Sequence, residues 1–253
     1  MQVKKLLNQV MLALGLGVVS LYASISHASI FLSGTRLIVD EAKQEATITV
    51  RNGDSPVLVQ SWLDAGDEVN QQELPFAVVP PLSKVNANAQ QLLRVMYAGL
   101  DDSLPKDRES VYWLNVQEIP QTIETEQNQL QIAVRQRIKV FFRPDGIRGN
   151  VSDGPNNLTW EFGKEDGKNY LIADNNSAYH VSLGAVVDSD DVEIVSEVPM
   201  INPYSKLKIE LNNNYKGGDV MYRVINDFGA ANTYKIPSGS IGPVKGVEEN
   251  SKK

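Results

Sequence analysis

The sequence predicts an all-β protein of two sandwich domains, and three observations carry that prediction. Beyond residue 28, short runs rich in valine, isoleucine, threonine and aromatic residues alternate apolar with polar positions. Nearly every run closes on glycine, proline, asparagine or aspartate. A break at Arg143-Pro144-Asp145-Gly146, followed by the glycine- and asparagine-rich residues 149–157, divides the pattern in two. No segment after the first 28 residues keeps a helical period long enough to compete.

Taken in order, the first element is a secretory signal peptide over residues 1–28. Lys4 and Lys5 precede an apolar stretch from residue 6 to 21, and Ser26-His27-Ala28 supplies a small-residue cleavage site after Ala28. That stretch is interrupted, and it is shorter than the roughly 20 residues a membrane-spanning helix needs. The first domain is expected over residues 29–147. Its strands are predicted at 46–51 before Asn52-Gly53-Asp54, at 57–63 before Asp64-Ala65-Gly66, at 91–97, and at 111–118 before Pro120. The strictly alternating run 130–135 then leads into 136–143, a long strand for a sandwich. The second domain is expected over 148–243, with strands at 158–160, 169–173, 180–187, 206–211 and 220–226. Residues 244–253 read as a polar tail without regular structure. Two units of about 100 residues match the size of immunoglobulin-like sandwiches.

Composition narrows the function. Cleavage after Ala28 removes two of the 24 basic residues and none of the 31 acidic ones, leaving 22 against 31 and a net charge of −9. That balance, without a basic run, argues against a nucleic-acid partner. The chain has no cysteine, so its fold rests on core burial rather than disulfides, and thiolate metal sites are excluded.

Catalytic and metal-binding patterns are missing as well. His180 is the one histidine beyond the predicted cleavage point, with no nucleophile-elbow glycines and no partner histidine at metal-ligand spacing. No glycine-rich phosphate loop occurs. The acidic pairs Asp101-Asp102 and Asp190-Asp191 lie in turn-like polar runs, and His180 is expected to be structural. The chain is therefore expected to be no enzyme and to carry neither metal nor cofactor.

Specific blocks are spread through the whole chain after residue 28. They are Thr35-Arg36, Val59-Gln60-Ser61-Trp62, Pro75-Phe76, Pro80-Pro81-Leu82, Leu104-Pro105-Lys106-Asp107-Arg108-Glu109-Ser110, Trp113-Leu114-Asn115 and Glu118-Ile119-Pro120. Arg137-Ile138-Lys139-Val140-Phe141-Phe142-Arg143-Pro144, Leu158-Thr159-Trp160 and Val224-Ile225-Asn226-Asp227-Phe228-Gly229 complete the set. In order and spacing they resemble the periplasmic chaperones of the chaperone/usher pilus pathway. The short connection over residues 120–129 resembles the short-loop branch of that family. Two departures fall in the second domain: residues 176–181 lack the family's usual proline, and Met200-Ile201-Asn202-Pro203 is a loose version of a proline-containing segment.

The resemblance implies two immunoglobulin-like sandwiches in an L or boomerang arrangement. It implies a chaperone that binds, folds and caps pilus subunits by donor-strand complementation and delivers them to an outer-membrane usher. On this resemblance Leu130, Ile132 and Val134 fill the subunit's groove, and Arg36 and Lys139 grip its C-terminal carboxylate. Glu109, Arg143 and Asp227 form an ionic triad between the domains. Pro56, Leu58, Pro80, Pro81, Arg94 and Ile119 form an usher-docking surface on the face of domain one away from the cleft. A self-capping dimer would cover the donor strand in the free protein. Val134 and Lys139 differ in parity, which predicts a bulge or a change of pairing partner around residues 135–137. The competing reading is a fimbrial subunit or adhesin, disfavoured because residues 130–142 complete the first sandwich.

Overall fold

A computed structural model describes residues 30–66, 74–99, 104–119, 133–239 and 242–249. Domain one holds β1 (Ile30–Leu32), β2 (Arg36–Asp40), β3 (Glu45–Asn52), β4 (Val57–Asp64), β5 (Phe76–Val79), β6 (Leu82–Val85), β7 (Gln90–Tyr97), β8 (Ser110–Ile119) and β9 (Arg135–Arg143). They form a four-stranded sheet in the order β1-β3-β7-β5 and a five-stranded sheet in the order β2-β9-β8-β4-β6. The alternation that predicts strands also decides which side chains meet. On β7, Leu93, Val95 and Tyr97 are buried while Leu92, Arg94 and Met96 face outward. Val39, Val50, Val59, Leu114, Val116, Val140 and Phe142 close the core from the other strands. The predicted turn after β3 is held by buried Asn52, whose Nδ2 donates to the carbonyls of Ser55, Val85 and Asn86.

Domain two holds β10 (Leu158–Glu165), β11 (Lys168–Asn175), β12 (Val181–Asp188), β13 (Met200–Ile201), β14 (Ser205–Glu210), β15 (Val220–Ile225), β16 (Ala231–Ile236), β17 (Val244–Lys245) and β18 (Val247–Glu248). Its sheets run β14-β11-β10-β17 and β13-β12-β15-β16-β18. Trp160 packs tilted against Tyr222, which stacks on Tyr234, with ring centroids 4.7 and 5.2 Å apart. The break between the domains carries a single 3-10 turn at Val151–Asp153 and one helical turn at Gly154–Asn157, started by Pro155.

Two expectations are corrected here. The ladder between β8 and β9 keeps one register from Ser110↔Phe142 to Gln117↔Arg135. Glu118 N then donates to Val134 O at 2.9 Å, so no bulge interrupts residues 135–137. The parity difference needs none, because the two faces of the strand do different work. Ile138, Val140 and Phe142 face the core, whereas Lys139 and Arg143 lie on the opposite face. Val134 continues the core-facing row to a position where it is 41% exposed.

The second correction concerns the tail. Val244 pairs with Trp160 and Lys245 with Thr159, after which Val247 pairs with Lys235 and Glu248 with Tyr234. The chain thus changes sheet at Gly246, where an added Cβ would collide with the Tyr222 hydroxyl. Pairings of two residues leave no periodic signal, and the close passage needs only a missing side chain.

Candidate ligand-binding cleft

β2 and β9 run parallel, and their register sets Arg36 directly beside Lys139 on the outward face of the five-stranded sheet. Local sequence explains why both point that way. Leu37 and Val39 on β2, and Val140 and Phe142 on β9, take the core positions, so the alternate residues face domain two.

Domain two holds both head groups. Arg36 Nη1 donates to the Ile225 carbonyl at 2.8 Å, and Lys139 Nζ donates to Ser182 Oγ at 3.3 Å. Ser182 is buried. Arg36 Nε is buried with no hydrogen-bond partner among the described residues, and its guanidinium stands 5.9 Å from the Phe141 ring centroid. Burial pulls the Lys139 ammonium below the usual lysine range, and the neighbouring Arg36 charge pulls it further. Burial also lowers Arg36, against the opposing pull of Asp227 and Glu109. Among the described residues neither cation is paired with a carboxylate. Two partly desolvated like charges in direct register, one with an idle donor, make a site for an anion.

Next along the sheet, the structure brings Glu109, Arg143 and Asp227 together. Arg143 Nε donates to Glu109 Oε1 at 2.8 Å, and its two terminal nitrogens donate to Asp227 at 2.7 and 2.9 Å. Burial alone would lower Arg143, but its hydrogen bonds to Asp227 and the charge of Glu109 outweigh it and raise it above the usual arginine range. His180 joins the cluster, its backbone N donating to Glu109 Oε2 at 2.9 Å and its ring Nδ1 lying 2.9 Å from the same oxygen. The turn carrying Asp227 is braced by Asn226 Oδ1, which accepts from the amides of Phe228 and Ala230. Gly229, at φ +84°, passes so close to Thr35 that a Cβ would stand 2.7 Å from its hydroxyl.

Of the residues expected to fill a subunit's groove, Val134 is exposed on the edge of domain one, whereas Leu130 and Ile132 lie outside the described residues. The six residues expected to face an usher do not share one face. Leu58 and Ile119 are cross-strand neighbours on the same outward face as Arg36 and Lys139, but six residues along the strands from the row Asp64–Trp113–Lys139. That separation is about 20 Å. Arg94 lies on the outer face of the other sheet, paired with Glu45. Pro80 and Pro81 sit where the chain crosses between the sheets from β5 to β6, and Pro56 immediately precedes β4.

Ser182, His180 and the Ile225 carbonyl were not legible as cleft residues. They sit in ordinary strand sequence, and a carbonyl carries no side-chain signal.

Comparison with known proteins agrees with this architecture. Residues 29–148 match the family of pili and flagellar-assembly chaperones, PapD N-terminal domain, and residues 153–236 match the pili assembly chaperone PapD, C-terminal domain. The chain is 39% identical over 222 residues to the probable fimbrial chaperone YadV of Escherichia coli K12, covering 83% of this chain and 90% of that one. The crystal structure of a YadV chaperone superposes with a TM-score of 0.69 at 36% identity, over 83% of this chain and 99% of the other. The Salmonella enterica SafB chaperone, solved in complex with SafA pilin, gives a TM-score of 0.72 at 28% identity over 85% and 98%. With both of its sandwiches matched and its interdomain cleft in place, the chain belongs to the pilus-assembly chaperone family.

Proposed function

We propose that the chain is a periplasmic chaperone that captures pilus subunits lacking a strand, holds them by donor-strand complementation and passes them to an outer-membrane usher. The observation that carries this reading is the Arg36–Lys139 pair, two half-buried cations in register, one with a buried idle donor. A subunit's C-terminal carboxylate is an anion of the right size, and anchoring it there fixes how far the subunit's strand runs along β9. The exposed Val134 stands five residues upstream of Lys139, at the start of the row that Leu130 and Ile132 extend in the sequence. The similar SafB chaperone, solved with a pilin, supports the class of partner. No catalytic step belongs to this reading, since the cleft's acids, buried Glu109 and partly exposed Asp227, are both engaged by Arg143.

A structural subunit is the less supported alternative, since β9 already completes the sheet of domain one between β8 and β2. The test is co-purification from the periplasm with pilus subunits encoded beside it. Wild type should yield stable complexes that Arg36→Ala and Lys139→Ala lose while remaining folded. Normal capture by both variants would remove the anchor from the reading.

A further inference from the structure

Beside the cation pair, between the domains, lies a cavity of about 410 Å³. Its apolar wall is formed by Phe141, Val181, Val224, Ile225, Phe228 and Tyr234, and Arg36 lines it as well. We propose that this cavity is a side-chain pocket that reads the last residue of the bound subunit and selects an apolar side chain of aromatic size. The inference rests on the reading that Arg36 and Lys139 hold a terminal carboxylate.

The volume falls within the roughly 300–1,000 Å³ of ligand pockets, which join apolar walls to a few placed polar groups. Arg36 is such a group. One terminal nitrogen is committed to the Ile225 carbonyl, while its buried Nε has no partner. A carboxylate held by the Arg36 guanidinium stands at the cavity wall, because Arg36 lines it. The side chain of the same residue leaves from the adjacent carbon and has the cavity within reach.

Phe228 is the second observation. It is 97% exposed, the most exposed large apolar side chain among the described residues, yet it sits on a turn braced by Asn226 and tied through Asp227 to Arg143. An aromatic carried on a braced backbone turn at the cavity rim is apolar surface open to an occupant. Charge sets the selectivity further. Asp227 is neutralised by Arg143, but Asp153 and Glu248 also line the cavity. They repel an acidic side chain, and a terminal glycine would leave the space unfilled.

The experiment uses the mature full chain and four small probes, N-acetyl-phenylalanine, N-acetyl-glycine, N-acetyl-glutamate and N-acetyl-phenylalaninamide. Titrations followed by the amide resonances of Phe228 and Val181 should rank the phenylalanine acid at least tenfold above the glycine and glutamate acids. The amide should bind no better than the glycine acid. Phe228→Ser, which removes no buried contact, should shrink the phenylalanine-to-glycine ratio without weakening the glycine acid. Arg36→Ala should abolish binding of all three acids. Equal affinity for the three acids, each lost in Arg36→Ala, overturns the pocket and leaves the anchor standing. Acid and amide binding alike, or acids binding unchanged to Arg36→Ala, removes the anchor and the pocket together.

Discussion

At the scale of single residues the cleft holds two kinds of charge, and they respond oppositely to mutation. Glu109 is buried and touches both Arg143 and His180. Glu109→Ala leaves Arg143 paired with Asp227 but strips Arg143 Nε and the His180 backbone N of their buried acceptor, and should cost about 3–5 kcal/mol. Urea unfolding measures this, and a loss below about 1 kcal/mol would show that the cluster relaxes. Lys139 is the reverse case, because it meets Arg36 without an acid among the described residues. Lys139→Met should leave unfolding free energy unchanged or higher while subunit capture is lost, as expected of a residue kept for binding rather than stability. The pH dependence follows from the direction of its shift. Lys139 sheds its proton at lower pH in the folded chain than in the unfolded chain. Through that alkaline window the unfolded state therefore binds more protons, and stability rises with pH. Carboxylate binding falls over the same window because the ammonium is lost. A carboxylate titration repeated at rising pH should weaken before an ordinary lysine would titrate, and Lys139→Arg should push the loss to higher pH.

At the scale of elements, β7 and β9 were legible because their alternation is long and one face of each is buried. The junction of β17 and β18 was not, since its two short pairings are made by backbone and by the absence of a side chain at Gly246. Gly246→Val should force the chain away from Tyr222 and release both strands. Hydrogen exchange should then show the amides of residues 244–248 losing protection while β10 to β12 keep theirs, and unchanged protection would mean that Tyr222 yields instead. The bulge expected at residues 135–137 failed for another reason. The parity difference is no conflict, because the two faces of β9 serve separate ends, core on one side and cleft on the other.

At the scale of the whole molecule, Arg36 and Lys139 could be named from sequence because specific blocks surround them. What holds them could not. Arg36 and Ile225 are 189 residues apart and Lys139 and Ser182 are 43 apart, and such pairs exist only once two sandwiches are docked. The junction is stitched by Arg36–Ile225, Lys139–Ser182, Arg143–Asp227 and His180–Glu109. Asp227→Ala removes the bidentate stitch, and calorimetry should resolve the single unfolding transition into two as the sandwiches uncouple. One transition at an unchanged midpoint would mean that the remaining contacts suffice.

The unbroken ladder of β9 would turn the strand proposed for donation into a phase ruler. Val134 sits an even number of positions from Val140 and Phe142, so the residues offered to a guest are in step with the host's own interior, and guest and host would share one apolar layer. Inserting one residue after Arg135 would turn the whole offered set over and abolish capture in an otherwise folded chaperone. Inserting two would restore the step and displace the guest by one pleat.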